Sequence, residues 1–168
     1  MNTATANALT ALALPVAHHL KAAGHSIGVC ESAAGGLIAA ALVSIPNASS
    51  YFVGGAVVYT LDARRELLGI SEADMAGIRG ATEAYAILCA RTLREKLNCT
   101  WALAETGATG PTGNPYGDPP GHACFAVSGP VESCLTIATG NSDREANMWA
   151  FARAGLQFLD ECVVAHRS

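Results

Sequence analysis

The sequence predicts a single α/β domain: a three-layer α/β/α sandwich around a mixed sheet of about five strands. Three observations point there. Short apolar strand patterns alternate with helical patterns through the first two thirds of the chain. Two further strand patterns follow late, separated only by Ser128-Gly129-Pro130, as in an antiparallel hairpin. Hydrophobic residues make up 51% of the chain and charged residues 14%, with the surplus in Ala and Gly rather than aromatics. That composition suits a sheet covered closely on both faces.

The elements follow in order. Leu9, Leu12, Val16 and Leu20 fall on one stripe of a helix over Thr5 to Ala23, which Gly24 ends. Ser26 to Cys30 is a strand buried on both faces. Glu31 to Gly36 turns the chain into a helix that runs to Ile45. Tyr51 to Tyr59 is the second strand, with Gly54-Gly55 permitting close approach. Thr60 caps a short helix over Leu61 to Leu68, closed by Gly69, and Ser71 caps another helical piece through Met75. Thr82 opens a helix to Leu97 that turns Ala86, Leu88, Cys89 and Leu93 inward. Thr100 to Ala104 is the third strand. Thr106 to Gly121 is a loop with four prolines and five glycines. His122 to Val127 and Val131 to Ala138 form the hairpin. Asp143 to Val163 is the last helix, anchored by Trp149, Phe151, Leu156 and Phe158.

At 168 residues the chain has the size of one domain, and no repeat or linker divides it. The longest apolar run, Ala33 to Ile45, is about 13 residues where a membrane span needs roughly 20. The N-terminal segment lacks a positive region and reads as a helix, not a signal peptide. Six cysteines without a C-x-x-C pair read as reduced thiols of a cytoplasmic protein, with Cys30, Cys89, Cys124 and Cys134 in the interior. A formal charge of −4 and no basic cluster beyond Arg64-Arg65 argue against nucleic acid as a partner. No group of residues has metal-ligand spacing, since His18 and His19 are neighbours on a helix and point apart. The expectation is therefore no metal, no cofactor and no membrane.

Two glycine-rich loops carry the chemistry. Glu31-Ser32-Ala33-Ala34-Gly35-Gly36 lies between a strand and a helix, where open α/β sheets bind ligands. The helix start offers amides to a phosphate or an oxyanion. Ser32 is placed either to attack a carbonyl or to cap that helix. Glu105-Thr106-Gly107-Ala108-Thr109-Gly110-Pro111-Thr112-Gly113 also follows a strand, and its glycines let successive amides form an anion-binding nest. As a surface loop it would need its Gly and Pro only for turns, but loops this long in compact domains usually serve function.

Taken together with Gly54-Gly55-x-x-x-Tyr59, Leu67-Leu68-Gly69 and Asp143-Arg144, the two loops resemble the C-terminal domain of the competence/damage-inducible protein CinA in order and spacing. The resemblance spans about residues 8–163. Stand-alone versions of that domain are nicotinamide-nucleotide amidases. The resemblance implies metal-independent hydrolysis of the carboxamide of nicotinamide mononucleotide to the nicotinate nucleotide and ammonia. By position it makes Ser32 the nucleophile and Tyr59 a partner for the nucleophile or substrate. Thr106 and Arg144 become substrate-side groups, and Gly35, Gly36, Gly107 and Gly110 line the phosphate and oxyanion positions. Relatives usually self-associate, so a homodimer is expected.

The chain departs from the family in two places. Ala33-Ala34 stand where Cys-Thr is common, which removes polar groups beside the nucleophile. Arg64 stands where active members carry a lysine expected to act as the base. Lysine can lose its proton when buried, whereas arginine effectively cannot, so Arg64 is a poor base but a good anion holder. The only lysines, Lys21 and Lys96, lie on helices away from the loops. Glu31 or Glu105, each beside a loop hydroxyl residue, are the acidic substitutes, although neighbours on a strand point to opposite faces. Glu105 also stands where many members have an apolar residue. Three readings stay open: an amidase with an altered base, a nucleotide-binding protein without turnover, and an amidase of another small substrate.

Overall fold

The computed structural model describes residues 3–166, with side chains described from Leu9 onward. Its helices are α1 (Thr3–Ala23), α2 (Leu37–Val43), α3 (Leu61–Ala63), α4 (Glu83–Leu97) and α5 (Arg144–His166). Its strands are β1 (Ile27–Glu31), β2 (Phe52–Val57), β3 (Trp101–Ala108), β4 (His122–Ser128) and β5 (Ser133–Ala138). They form one sheet in the order β2-β1-β3-β4-β5. β1 pairs parallel with β2 and β3, while β4 and β5 add antiparallel. The mixed sheet and late hairpin are as the sequence predicts.

Burial follows the order of strands. β1 is buried at every position and β3 and β4 at nearly every one, whereas the edge strands β2 and β5 alternate. One core lies between the sheet and α1, α2 and α5, built around Leu20, Ile38, Leu103, Phe125 and Phe151. A smaller one lies on the other face, where Cys89, Ala90 and Leu93 of α4 meet Cys30, Ala102 and Ala126. Thus the chain leaves β1 over one face by α2 to reach β2, and returns to β3 over the other by α4. Strand order reverses between β1 and β3, which opens a crevice beyond their carboxyl ends. Ser32 and the loop after β3 both sit there.

The structure corrects four local expectations. β3 runs on to Ala108, so Thr106 and Gly107 belong to a strand paired with Cys124 and Ala123 rather than to the loop. Gly107 is required by that pairing: a Cβ there would run into the His122 carbonyl and come within 2.9 Å of Ala123 Cα. The piece after Ser71 caps as expected, with the Asp74 amide donating to Ser71 Oγ, but it continues as turns and not as a helix. α3 is only one turn and passes into a π-helical turn over Arg64–Leu68, ended by Gly69 at φ 73°. Cys134 is exposed because β5 is an edge strand that alternates, while Cys99 and Cys162 are buried.

Candidate active site

The turn after β1 is held by two buried carboxylates. Glu31 Oε1 accepts from the amides of Gly36 and Ile38 at 3.2 and 2.8 Å, and its Oε2 accepts from Ala39 at 2.9 Å. Glu105 Oε2, reaching over from β3, accepts from the amides of Ser32 and Ala34 at 3.0 and 2.8 Å. The Gly35 and Leu37 amides donate to the carbonyls of Ser32 and Ala34. Gly35 and Gly36 supply left-handed backbone, at φ 66° and 97°. The helix start is therefore capped from inside, with Glu31 taking the place of a side chain at the N-cap Gly36.

Two consequences follow for Ser32. Its hydroxyl caps nothing and meets no hydrogen-bonding partner among the described residues, so it is available to the cleft. Conversely, the amides expected to serve a phosphate or oxyanion are already engaged. Gly35 and Gly36 line neither part of the cleft, and their contribution is to shape the turn.

The two carboxylates differ in their own satisfaction. Glu31 has acceptors in use on both oxygens, whereas Oε1 of Glu105 is buried without a partner. Burial raises the Glu31 carboxyl, and its three amide donors pull the other way. For Glu105 burial outweighs the Ala34 and Ser32 amides, and with Glu31 adding like charge it is pushed up to about 7. Both point to the amides of the turn rather than standing as free bases.

The loop after β3 is built in the opposite way. Its far half is stapled: Asn114 Oδ1 accepts from the Tyr116 and Asp118 amides, and Asn114 Nδ2 donates to Asp118 at 2.8 Å. Arg79 grips Asp118 through two bonds of 2.7 and 3.0 Å and lies over the Tyr116 ring. That guanidinium holds the Asp118 carboxyl down to about 2. At the near end, buried Asn147 of α5 donates to the Thr109 and Asn141 carbonyls, both at 2.8 Å. Between these anchors, no described residue accepts from the amides of Gly110, Thr112 or Gly113.

The cleft between the loops has two chambers that share Ser32, Tyr59, Gly107 and Asn114. The first, of about 280 Å³, adds Arg64, Thr106, Met75, Tyr85 and Tyr116. The second, of about 310 Å³, adds Ala33, Gly110, Thr112, Gly113 and Arg144. Tyr59 and Arg144 meet at the mouth, where Arg144 donates to the Tyr59 hydroxyl and to the Gly110 carbonyl, both at 2.7 Å. Arg64 is buried and donates to Glu72, while its Nε has no acceptor among the described residues. Behind it, burial and the Cys89 thiol raise the Tyr85 hydroxyl, and Cys89 is lowered by Cys30, Tyr85 and Arg64.

The structure thus gathers Ser32, Tyr59, Arg64, Thr106, Gly107, Gly110 and Arg144 around one cleft. Sequence reasoning missed Tyr85, Asn114, Tyr116 and Asn147. Tyr85 hides in an ordinary helix pattern. Asn114-Pro-x-Gly-Asp118 has the residue types of a self-bonded turn, a signal that could have placed the second wall.

Comparisons with known proteins agree with this architecture. Residues 9–163 match the CinA C-terminal domain. A CinA-like protein of Gloeobacter violaceus is 37% identical over 110 residues, which is 66% of this chain and 26% of that protein. One from Synechococcus sp. is 34% identical over 118 residues, 70% of this chain and 28% of its own length. The chain therefore spans about a third or less of the length of the curated relatives it matches. A crystal structure of a CinA superfamily protein from Klebsiella pneumoniae superposes with a TM-score of 0.87 at 25% identity, covering 94% of this chain and 98% of that one. The competence/damage inducible protein CihA from Agrobacterium tumefaciens gives 0.84 at 26% identity over 93% and 95% of the two chains. On sequence and fold together, the chain belongs to the CinA C-terminal domain family.

Proposed function

We propose that the chain is an amidohydrolase of nicotinamide nucleotides, using Ser32 to convert the carboxamide and water into a carboxylate and ammonium. The observation that carries this reading is the unpartnered Ser32 hydroxyl at the junction of the two chambers. One side offers uncommitted backbone amides and Arg144 for a phosphate. The other offers aromatic walls for a planar ring. Ser32 Oγ attacks the carbonyl carbon, and the C–N bond breaks with the hydroxyl proton ending on the nitrogen, so that ammonia leaves. Water then cleaves the acyl-serine, restoring the Ser32 hydroxyl and releasing the acid. Because the helix start is already capped, the negative charge on the carbonyl oxygen is met by the Thr106 hydroxyl and Arg64.

Arg64 keeps its proton, so it holds charge and does not activate the serine. The buried Arg64 with its Glu72 partner favours a second reading, a nucleotide-binding protein with little turnover. Ammonia release from nicotinamide mononucleotide separates the two. The amidase reading expects release by the wild type and loss in Ser32→Ala. Tight nucleotide binding without ammonia, with activity gained in Arg64→Lys, supports the binding protein. Absence of any nucleotide-induced rise in melting temperature overturns both.

A further inference from the structure

Arg64 presents an unbalanced ion pair. Its side chain is 6% exposed, while that of its partner Glu72 is 83% exposed and comes from the turns after Ser71. Glu72 takes one bond from Nη2 and leaves Nε buried without an acceptor. A guanidinium edge presents Nε and Nη as parallel donors that match the two oxygens of a carboxylate. Half of that fork is unused. Leaving a buried charged donor unmatched is costly, and a bidentate carboxylate would satisfy it.

We propose that the Arg64 chamber is a carboxylate site in which the Glu72 carboxylate stands in for the ligand's own. This rests on the nucleotide reading of the cleft and deepens it. With Arg144 and free amides in the second chamber, the cleft then suits a ligand anionic at both ends, a phosphate at one and an aromatic carboxylate at the other. Val58, Met75, Tyr85 and Tyr116 wall the Arg64 chamber with apolar and aromatic surface for the ring. In such a cleft the acid nucleotide binds more tightly than the amide nucleotide, so the protein retains its product.

The test is calorimetric titration of the intact chain with nicotinate mononucleotide, nicotinamide mononucleotide and free nicotinate. The acid nucleotide is expected to bind about tenfold or more tightly than the amide, since a charge-assisted pair replaces a neutral contact. Glu72→Gln removes the internal competitor, tightening the acid severalfold and leaving the amide unchanged. It is a surface change, so it tests the site even if Arg64→Gln fails to fold. Arg64→Gln is expected to abolish the preference. Equal affinity for acid and amide, or no response to Glu72→Gln, overturns the proposal and leaves the nucleotide reading standing. Nicotinate binding that depends on Arg64, with no binding of either nucleotide, upholds the carboxylate site and removes the nucleotide reading. Binding of none of the three overturns both.

Discussion

The two loops at the crevice have similar glycine-rich sequences and opposite hydrogen-bond economies. In the turn after β1, buried carboxylates and local carbonyls take the amides of Ser32 and of Ala34 to Ala39, most of which would otherwise point at a ligand. In the loop after β3, side chains clamp both ends and the amides between them stay free. A glycine-rich turn before a helix is thus no guarantee of an anion site, because the chain can satisfy the helix start by itself. The first loop fixes one hydroxyl in place. The second keeps its donors for something else.

The contrast can be broken or sharpened by substitution, beginning with the largest effect. Ser32→Ala removes a hydroxyl with no hydrogen-bonding partner among the described residues. Ammonia release should fall on the order of a thousandfold or more, while the melting temperature stays within about 2 °C of wild type. A large fall in stability would show that the hydroxyl has a structural task after all.

Glu31→Ala should do the reverse. It strands three amides of the turn at once, and chemical denaturation is expected to show a loss of roughly 3 kcal/mol or more. A loss below about 1 kcal/mol would mean that water replaces the carboxylate readily.

Glu105 is the pH-sensitive member of the pair. Its carboxyl is raised in the folded chain to about 7, so the folded state holds this proton more tightly than the unfolded state. The resulting stabilisation is full below the ordinary carboxylate range and is lost as pH rises through about 7. Comparing wild type with Glu105→Gln by denaturation between pH 4.5 and 7.5 should show wild type losing on the order of 3 kcal/mol relative to the variant. Parallel curves would contradict the burial argument.

Least disruptive is Arg79→Ala, which releases Asp118 and the ring of Tyr116. Exposed ion pairs contribute about 1 kcal/mol or less, so stability should hardly change. KM for the nucleotide should rise severalfold with kcat nearly constant, because the second wall becomes mobile before the ligand binds. A change in kcat alone would place the loop in the chemical step.

The sheet was legible because its signals are local. Apolar runs mark the buried strands, and Ser128-Gly129-Pro130 marks the hairpin turn. Ser32 and Thr106 were legible as candidates because each lies in a glycine-rich segment after a strand, whereas Tyr59 and Arg144 were legible only through the family resemblance. What the carboxylates do was not legible, since it depends on β1 and β3 being neighbours. Only then does Glu105 reach the amides of Ser32 and Ala34, which lie far from it along the chain. The same holds for Tyr85 and Tyr116, which come from separate parts of the chain to line one chamber. The extension of β3 was hidden by glycine and threonine, whose turn-forming habit masks a strand when a partner such as β4 supplies the pairing.

Arg144 is also the first residue of α5, a helix of 23 residues that runs about 35 Å to His166. At its far end the His166 ring packs edge-on against Trp101, at 5.8 Å between centroids. Helix ends fray first, and the ends of α5 are tied at the cleft mouth and beneath the start of β3. An anion seated on Arg144 draws on the turn that would otherwise unravel first. On the proposed function, an anion bound at Arg144 and the packing of His166 on Trp101 would brace the two ends of one helix, so ligand binding is expected to raise the melting temperature by steadying α5 as a whole.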